Sequence, residues 1–304
     1  MRIVVHGQQA FGKAVLERLL DQGEDVVGVF CAPDKEGRPA DPLKEFAQEK
    51  GLPLHQPTSW KTEEALALMQ SFDADVCMMA YVTLFVPEAV INAPTHGTFQ
   101  YHPSLLPLHR GPSSINWPII QGAARTGLSI FWPNDGLDEG PILLQKEVEI
   151  GPDDTLGSVY FNHLFPMGVD AMMESLELVK QGRAPRTEQD HSKATYESWC
   201  GKKDARIDWA KPASDVYNLI RGCNPAPGAW AMHGEIELSI FDCRKGDAVD
   251  GAPGTVTAVD GNGVTIALDG GSLNIQRVRP KGGKKVTSAE YAAESGLAVG
   301  DRLV

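Results

Sequence analysis

Along the first two thirds of the chain the apolar positions switch between two periods. Short β-branched runs at residues 2–5, 26–31 and 75–80 read as buried strands. Between the first two, Phe11, Val15, Leu19 and Leu20 fall on one helical face over residues 11–22, and Gly23 follows as a stop. Residues 98–101 form another strand-like run, and a helix is expected from near Pro112. Residues 156–180 carry a long helical pattern interrupted at Pro166. Strands alternating with helices predict an α/β fold built on a doubly wound parallel sheet. Ligands bind such sheets outside the carboxyl ends of the strands. The loops after Val5, Cys31, Met79 and Phe99 are therefore where chemistry is sought.

Further on, the pattern changes. Residues 183–203 lack clear periodicity and are polar, so 185–202 reads as a linker. Residues 214–221 look like one short helix, and Asn224-Pro225-Ala226-Pro227-Gly228 reads as a turn. Short strand-like runs follow at 236–241, 254–259, 263–268 and 272–278. They are separated by Asp260-Gly261-Asn262-Gly263 and Asp269-Gly270-Gly271. This divides the chain into a first domain at 1–184 and a small β-barrel or sandwich at 203–304.

Charge narrows the partners. The chain of 304 residues carries a formal −12, of which residues 1–202 hold −11 and residues 203–304 hold −1. An acidic surface argues against indiscriminate nucleic-acid binding, and DNA is not an expected partner. One basic knot stands out: Arg277, Arg279, Lys281, Lys284 and Lys285. It reads as a solvated β-turn or, alternatively, as an RNA-facing patch. No run approaches the ~18 apolar residues that a membrane span needs. The N-terminal apolar stretch is too short for a signal peptide. Five scattered cysteines without a C-x-x-C pair point to reduced thiols in a cytoplasmic protein, and to no metal site.

Gly7-Gln8-Gln9-Ala10-Phe11-Gly12 sits where a nucleotide fingerprint would sit. It is not G-x-G-x-x-G, and no Lys-Ser/Thr follows Gly12. The more unusual segment is Gln100-Tyr101-His102-Pro103-Ser104-Leu105-Leu106-Pro107-Leu108-His109-Arg110-Gly111-Pro112. Its prolines stiffen a loop at a strand end, with a histidine at the base. A second loop, Asn134-Asp135-Gly136-Leu137-Asp138-Glu139-Gly140-Pro141, sets carboxylates between glycines. Alone, His102 reads as a core histidine and Asp138 as a turn former. Together they are the usual equipment for proton transfer near neutral pH.

The two segments together resemble the folate-dependent formyltransferase family. Its Asn-x-His-x-Ser-Leu-Leu-Pro motif and Gly-Leu-Asp-x-Gly loop are similar to the stretches holding His102 and Asp138. The resemblance implies a Rossmann-like catalytic domain at 1–184. The C-terminal part, with Pro253-Gly254-Thr255 and Pro280-Lys281-Gly282-Gly283-Lys284-Lys285, resembles the OB-like barrel of the family's tRNA-acting branch, methionyl-tRNA formyltransferase. Local matches are similar to the hydrolase domain of 10-formyltetrahydrofolate dehydrogenase. They include Pro33-Asp34-Lys35-Glu36-Gly37, Ser114-Ile115-Asn116-Trp117, Phe131-Trp132 and Gly228-Ala229-Trp230. One position departs from the family: its Asn is Gln100 here. Loss of an oxyanion donor costs about 2.7–4 kcal/mol; Gln keeps the donor but lengthens it by one methylene.

The co-substrate the resemblance implies is 10-formyltetrahydrofolate, with no metal. Its pterin is expected against Tyr81, Thr83, Leu84 and Val86 on one side and Asp135, Gly136 and Leu137 on the other. His102 and Gln100 would stabilise the oxyanion, and Asp138 would orient His102 and accept a proton. The formyl acceptor stays open between an amine metabolite, water and methionyl-tRNA. The loop at 33–42 sets Lys35 and Arg38 against Asp34, Glu36 and Asp41, a poor partner for tRNA. A folate-binding protein without catalysis is the least favoured alternative.

Overall fold

The structure is a computed structural model that describes all 304 residues. It resolves into two compact units. The first comprises Met1–Ser114, Gly127–Val148 and Asn162–Glu197; the second comprises Ile115–Thr126, Glu149–Phe161 and Ser198–Val304.

In chain order the elements begin with β1 (Arg2–Gly7), α1 (Gln9–Asp21), β2 (Asp25–Cys31), α2 (Pro42–Glu49), β3 (Leu54–His55) and α3 (Glu63–Ser71). Then come β4 (Val76–Ala80), α4 (Glu88–Ile91), β5 (Thr98–His102), α5 (Asn116–Ile120), β6 (Arg125–Phe131) and β7 (Ile142–Glu149). α6 (Leu156–Val159) and a π-helical turn lead into α7 (Phe165–Lys180) and α8 (Ala213–Gly222). The strands β8 (Ala229–His233), β9 (Ile236–Gly246), β10 (Val256–Asp260), β11 (Gly263–Leu268), β12 (Gly271–Pro280) and β13 (Val286–Thr287) precede α9 (Ser288–Ser295).

The sheet of the first unit has the order β3-β2-β1-β4-β5-β6-β7. The pairs from β3 through β5 are parallel, and β6 runs antiparallel to β5. The expected doubly wound parallel sheet is thus present as five strands, continued by an antiparallel addition. Its central strands are buried on both faces, which is why they read as unbroken apolar runs: Ile3, Val4 and Val5 on β1 and Val76 to Ala80 on β4 are fully or almost fully inaccessible. Phe11, Val15, Leu16 and Leu19 supply the buried stripe of α1. The chain order reverses direction across β1 and β4, and there the backbones come close. A Cβ on Gly7 would lie 2.5 Å from the Ala80 carbonyl, so only glycine fits.

The interruption expected at Pro166 lies earlier in the helix. Residues Tyr160–Leu164 form the π-helical turn, and Pro166 stands in the first turn of α7. A proline ring clashes with the carbonyl four residues before it, so the distortion falls ahead of the proline. The helix expected from Pro112 begins at Asn116, after four turn residues.

The second unit holds an antiparallel sheet in the order β10-β11-β12-β9-β8, with β13 on β12. Residues 301–304 join its two edges. Val256 N–H donates to the Asp301 carbonyl and Leu303 N–H to that of Gly254, while Val304 pairs with Met232 of β8 in both directions. This closure satisfies the edge groups as a barrel does. The apolar faces of α8 and α9 complete the core of this unit with Val216, Ile220, Tyr291 and Ala292. All five cysteines are buried and none forms a disulfide; Cys200 and Cys223 lie with their Sγ atoms 3.9 Å apart. No helix is long and apolar enough to cross a membrane.

Candidate active site

His102 is the last residue of β5, at the carboxyl end of the parallel strands. Its ring is buried and stands edge-on to Phe131 at 6.5 Å. Gln100 lies two residues earlier, hence on the same face of the strand, and is half-buried. The loop that follows is held by hydrogen bonds as much as by its prolines. Ser104 Oγ donates to the Leu108 carbonyl at 2.7 Å. Ser129 Oγ, on β6, donates to the Ser104 carbonyl at 2.7 Å and accepts from Leu106 N–H at 3.1 Å.

Asp138 comes from the loop after β6. It sits in the left-handed region at φ +54, uncommon for a residue other than glycine. Two contacts hold it there. Its Oδ2 accepts from Gly111 N–H at 2.9 Å, and its backbone carbonyl accepts from the Gln189 side-chain amide at 2.9 Å. Thus placed, Asp138 Oδ2 lies 3.6 Å from His102 Nδ1, with both side chains nearly buried. The gap is slightly longer than a hydrogen bond.

The other nitrogen of His102 is committed. Nε2 lies 2.9 Å from the carbonyl oxygen of His109. A carbonyl only accepts, so a hydrogen on Nε2 is bonded there, and Nδ1 is the ring nitrogen that faces Asp138.

Residues 185–202, expected as a linker, divide at 197/198 between the two units. Within the first unit, 189–197 packs on the site. Gln189 is buried; besides Asp138 it donates to the Gly140 carbonyl at 2.7 Å and accepts from Arg110 at 2.7 Å. Arg110 is wholly inaccessible. Its guanidinium lies 3.6 Å from Glu139, donates to His191 Nδ1 at 3.2 Å and to the Tyr196 hydroxyl, and stacks over the Tyr196 ring. Arg110, Gly111, Gln189 and Glu197 all escaped the sequence reading. Only the run His109-Arg110-Gly111 beside the motif hinted at them.

The positions expected to meet the pterin are dispersed between surface and core. Tyr81, at φ +68, and Leu84 and Leu137 are exposed. Thr83 accepts from the Gln8 side chain at 3.3 Å. Asp135 accepts from Glu88 N–H at 3.0 Å, tying this loop to the start of α4. Gly136 N–H donates to Asn134 in an Asx turn. Val86 belongs to a buried cluster with Phe30, Trp60 and Met79. Its neighbour Phe85 faces outward, with Lys61 Nζ 5.2 Å above its ring.

No group of three or more His, Cys, Asp or Glu side chains is arranged to hold a metal ion. The basic knot lies on the second unit. Arg277 and Lys285 each stand 3.9 Å from Asp242, and Lys285 lies 3.9 Å over the Phe241 ring.

Residues 1–174 match the family described as formyl transferase, and residues 200–296 match the formyl transferase C-terminal domain. The chain is 39% identical over 308 residues to human cytosolic 10-formyltetrahydrofolate dehydrogenase, covering 96% of this chain and 34% of the relative. It therefore spans about a third of the length of the dehydrogenases it matches. It is 34% identical over 308 residues to a methionyl-tRNA formyltransferase of Trichlorobacter lovleyi, covering 100% of this chain and 97% of the relative. Among solved structures it is similar to HypX of Aquifex aeolicus in complex with tetrahydrofolic acid. That match has a TM-score of 0.71 at 19% identity, over 98% of this chain and 48% of the other. It is also similar to WlaRD, a sugar 3N-formyl transferase solved with dTDP and 5-N-formyl-THF, at TM-score 0.69 and 17% identity over 90% and 97%.

Proposed function

The chain belongs to the formyl transferase family, and on that footing we propose that it moves the formyl group of 10-formyltetrahydrofolate to an amine. The observation that carries the reading is the approach of His102 Nδ1 to Asp138 Oδ2 at 3.6 Å, at the carboxyl end of β5. Exposed Leu84, Phe85 and Leu137 provide apolar surface for a planar pterin, and the turn at Gly136 leaves backbone groups beside it.

With Nε2 bound to the His109 carbonyl, His102 works through Nδ1. Protonated there, it donates to the formyl oxygen as the attacking amine forms its bond to the formyl carbon. Gln100, on the same strand face, adds a neutral donor to that oxygen. Asp138 accepts the proton the amine loses. When the carbon–nitrogen bond to the folate breaks, that nitrogen keeps the electron pair and receives the proton. Charges and atoms balance, and the two side chains return to their starting states.

A second reading is hydrolysis, in which water replaces the amine and formate leaves. Gln100 favours it, because the family's shorter Asn would hold the oxyanion donor nearer the strand. Methionyl-tRNA as acceptor is less well supported, since two members of the basic knot already face Asp242. The test is to supply 10-formyltetrahydrofolate alone and follow tetrahydrofolate release. Release without acceptor supports hydrolysis. Release that waits for an added amine supports transfer, and loss of that release at moderate salt with tRNA as the acceptor supports the tRNA branch. No release under any of these conditions overturns the proposal.

A further inference from the structure

We infer that Glu197 and His109 are positioning residues that decide which nitrogen of His102 carries its proton. The inference rests on the reading of His102 as the reactive imidazole, and its own observation is a closed ring of hydrogen bonds. His109 N–H donates to Thr195 Oγ1 at 2.8 Å, Thr195 Oγ1 donates to Glu197 Oε1 at 3.3 Å, and His109 Nδ1 donates to the same Oε1 at 3.0 Å. The next residue is tied as well: Arg110 N–H donates to the Thr195 carbonyl and Glu197 N–H to the Arg110 carbonyl, each at 3.0 Å.

The ring holds His109 in the left-handed region at φ +57, an uncommon conformation for a residue other than glycine. In that conformation its carbonyl lies 2.9 Å from His102 Nε2. The Glu197 side chain and the His109 side chain are both largely buried, so the pair is shielded from solvent. The consequence is chemical. While the carbonyl stays in place, a hydrogen on Nε2 is bonded and a lone pair there would face another lone pair. Asp138 Oδ2, 3.6 Å from Nδ1, is beyond hydrogen-bond distance while the His109 carbonyl is within it, so Nε2 keeps its hydrogen and the proton that comes and goes does so on Nδ1, beside Asp138. If the His109 peptide relaxes, Nε2 loses its acceptor, both tautomers become populated, and the fraction with a hydrogen already on Nδ1 cannot accept one there. Glu197 also reaches the other half of the pair, because its carbonyl packs where a Cβ on Gly111 would be, 2.3 Å away, and Gly111 N–H holds Asp138.

The experiment is ¹⁵N NMR of histidine-labelled full-length protein, with the His102 signals identified by their loss in His102→Gln. In the wild type, above the ring's titration, Nε2 should read as protonated and Nδ1 as bare. In Glu197→Ala and in Thr195→Val the two shifts should converge, with turnover reduced by about tenfold or more and folate KM changed by no more than about twofold. Glu197→Gln keeps an acceptor for His109 Nδ1 and should restore both readouts. Unchanged His102 shifts in the first two variants, or a wild type with bare Nε2, overturn the inference. Ordinary turnover in His102→Gln strikes the functional reading instead, whatever the nitrogen shifts show.

Discussion

The backbone N–H of Gly111 donates to the carboxylate of Asp138 at 2.9 Å, so a residue of the histidine loop positions the acid of the other loop. Gly111 has φ +105, and a Cβ there would meet the Glu197 carbonyl at 2.3 Å. Gly111→Ala must therefore push the 195–197 segment away or rotate its own N–H off Asp138. We expect a loss of about 1–3 kcal/mol in urea unfolding, with turnover falling further than folate affinity. A variant with wild-type turnover would show that this N–H is dispensable.

Asp138→Asn keeps an oxygen for Gly111 but removes the charge beside His102 Nδ1 and, in the proposed mechanism, the proton acceptor. Turnover should fall by about 10²–10⁴-fold while the melting temperature changes little. Equilibrium folate binding, measured by fluorescence quenching, should persist.

Gln189 makes three hydrogen bonds, to the Asp138 and Gly140 carbonyls and from Arg110. Gln189→Ala leaves two carbonyls and a guanidinium edge short of partners, which should cost roughly 2–4 kcal/mol. Gln189→Glu should not rescue it, because a carboxylate cannot donate to either carbonyl. Thermal denaturation of the pair checks this, and recovery by Glu would assign the residue's role to Arg110 alone.

Gln100→Asn shortens the donor on β5 by one methylene on the face it shares with His102. The ratio of amine-dependent to amine-independent tetrahydrofolate release should rise. A ratio that stays fixed would separate Gln100 from the choice between amine and water.

Burial against Trp60 and Phe30 pushes His6 down from 6.5 to about 3. The folded ring stays neutral while the unfolded chain takes up a proton below 6.5. Its stabilising contribution is thus complete above pH 6.5 and is lost as pH falls toward 3, at about 1.4 kcal/mol per pH unit. Between about pH 7.5 and about pH 5, His6→Leu should lose roughly 2 kcal/mol less than the wild type in urea unfolding. Parallel losses would mean that the unfolded ring does not gain the proton.

The apolar runs of β1, β2 and β4 and the stripe of α1 were legible because burial on two faces, or on one helical face, writes its period directly into neighbouring residues. His102 and Asp138 were legible because each stands in a local motif. Some local details were lost even so. Val86 and Phe85 are both large and apolar, and nothing in the string says which one turns into the cluster around Trp60. Likewise β6 and β7 carry no mark of the direction in which they join the sheet.

The support of the site was not legible at all. Gln189 lies 51 residues from Asp138, and Glu197 lies 88 from His109. Their stretch is polar and aperiodic because its side chains bond to loop backbone rather than line a core, and such bonding leaves no repeat. Periodicity records how much of a residue is covered. Which distant carbonyl it meets follows only from the folded path of the chain, and that path sets the His109 carbonyl 2.9 Å from His102 Nε2.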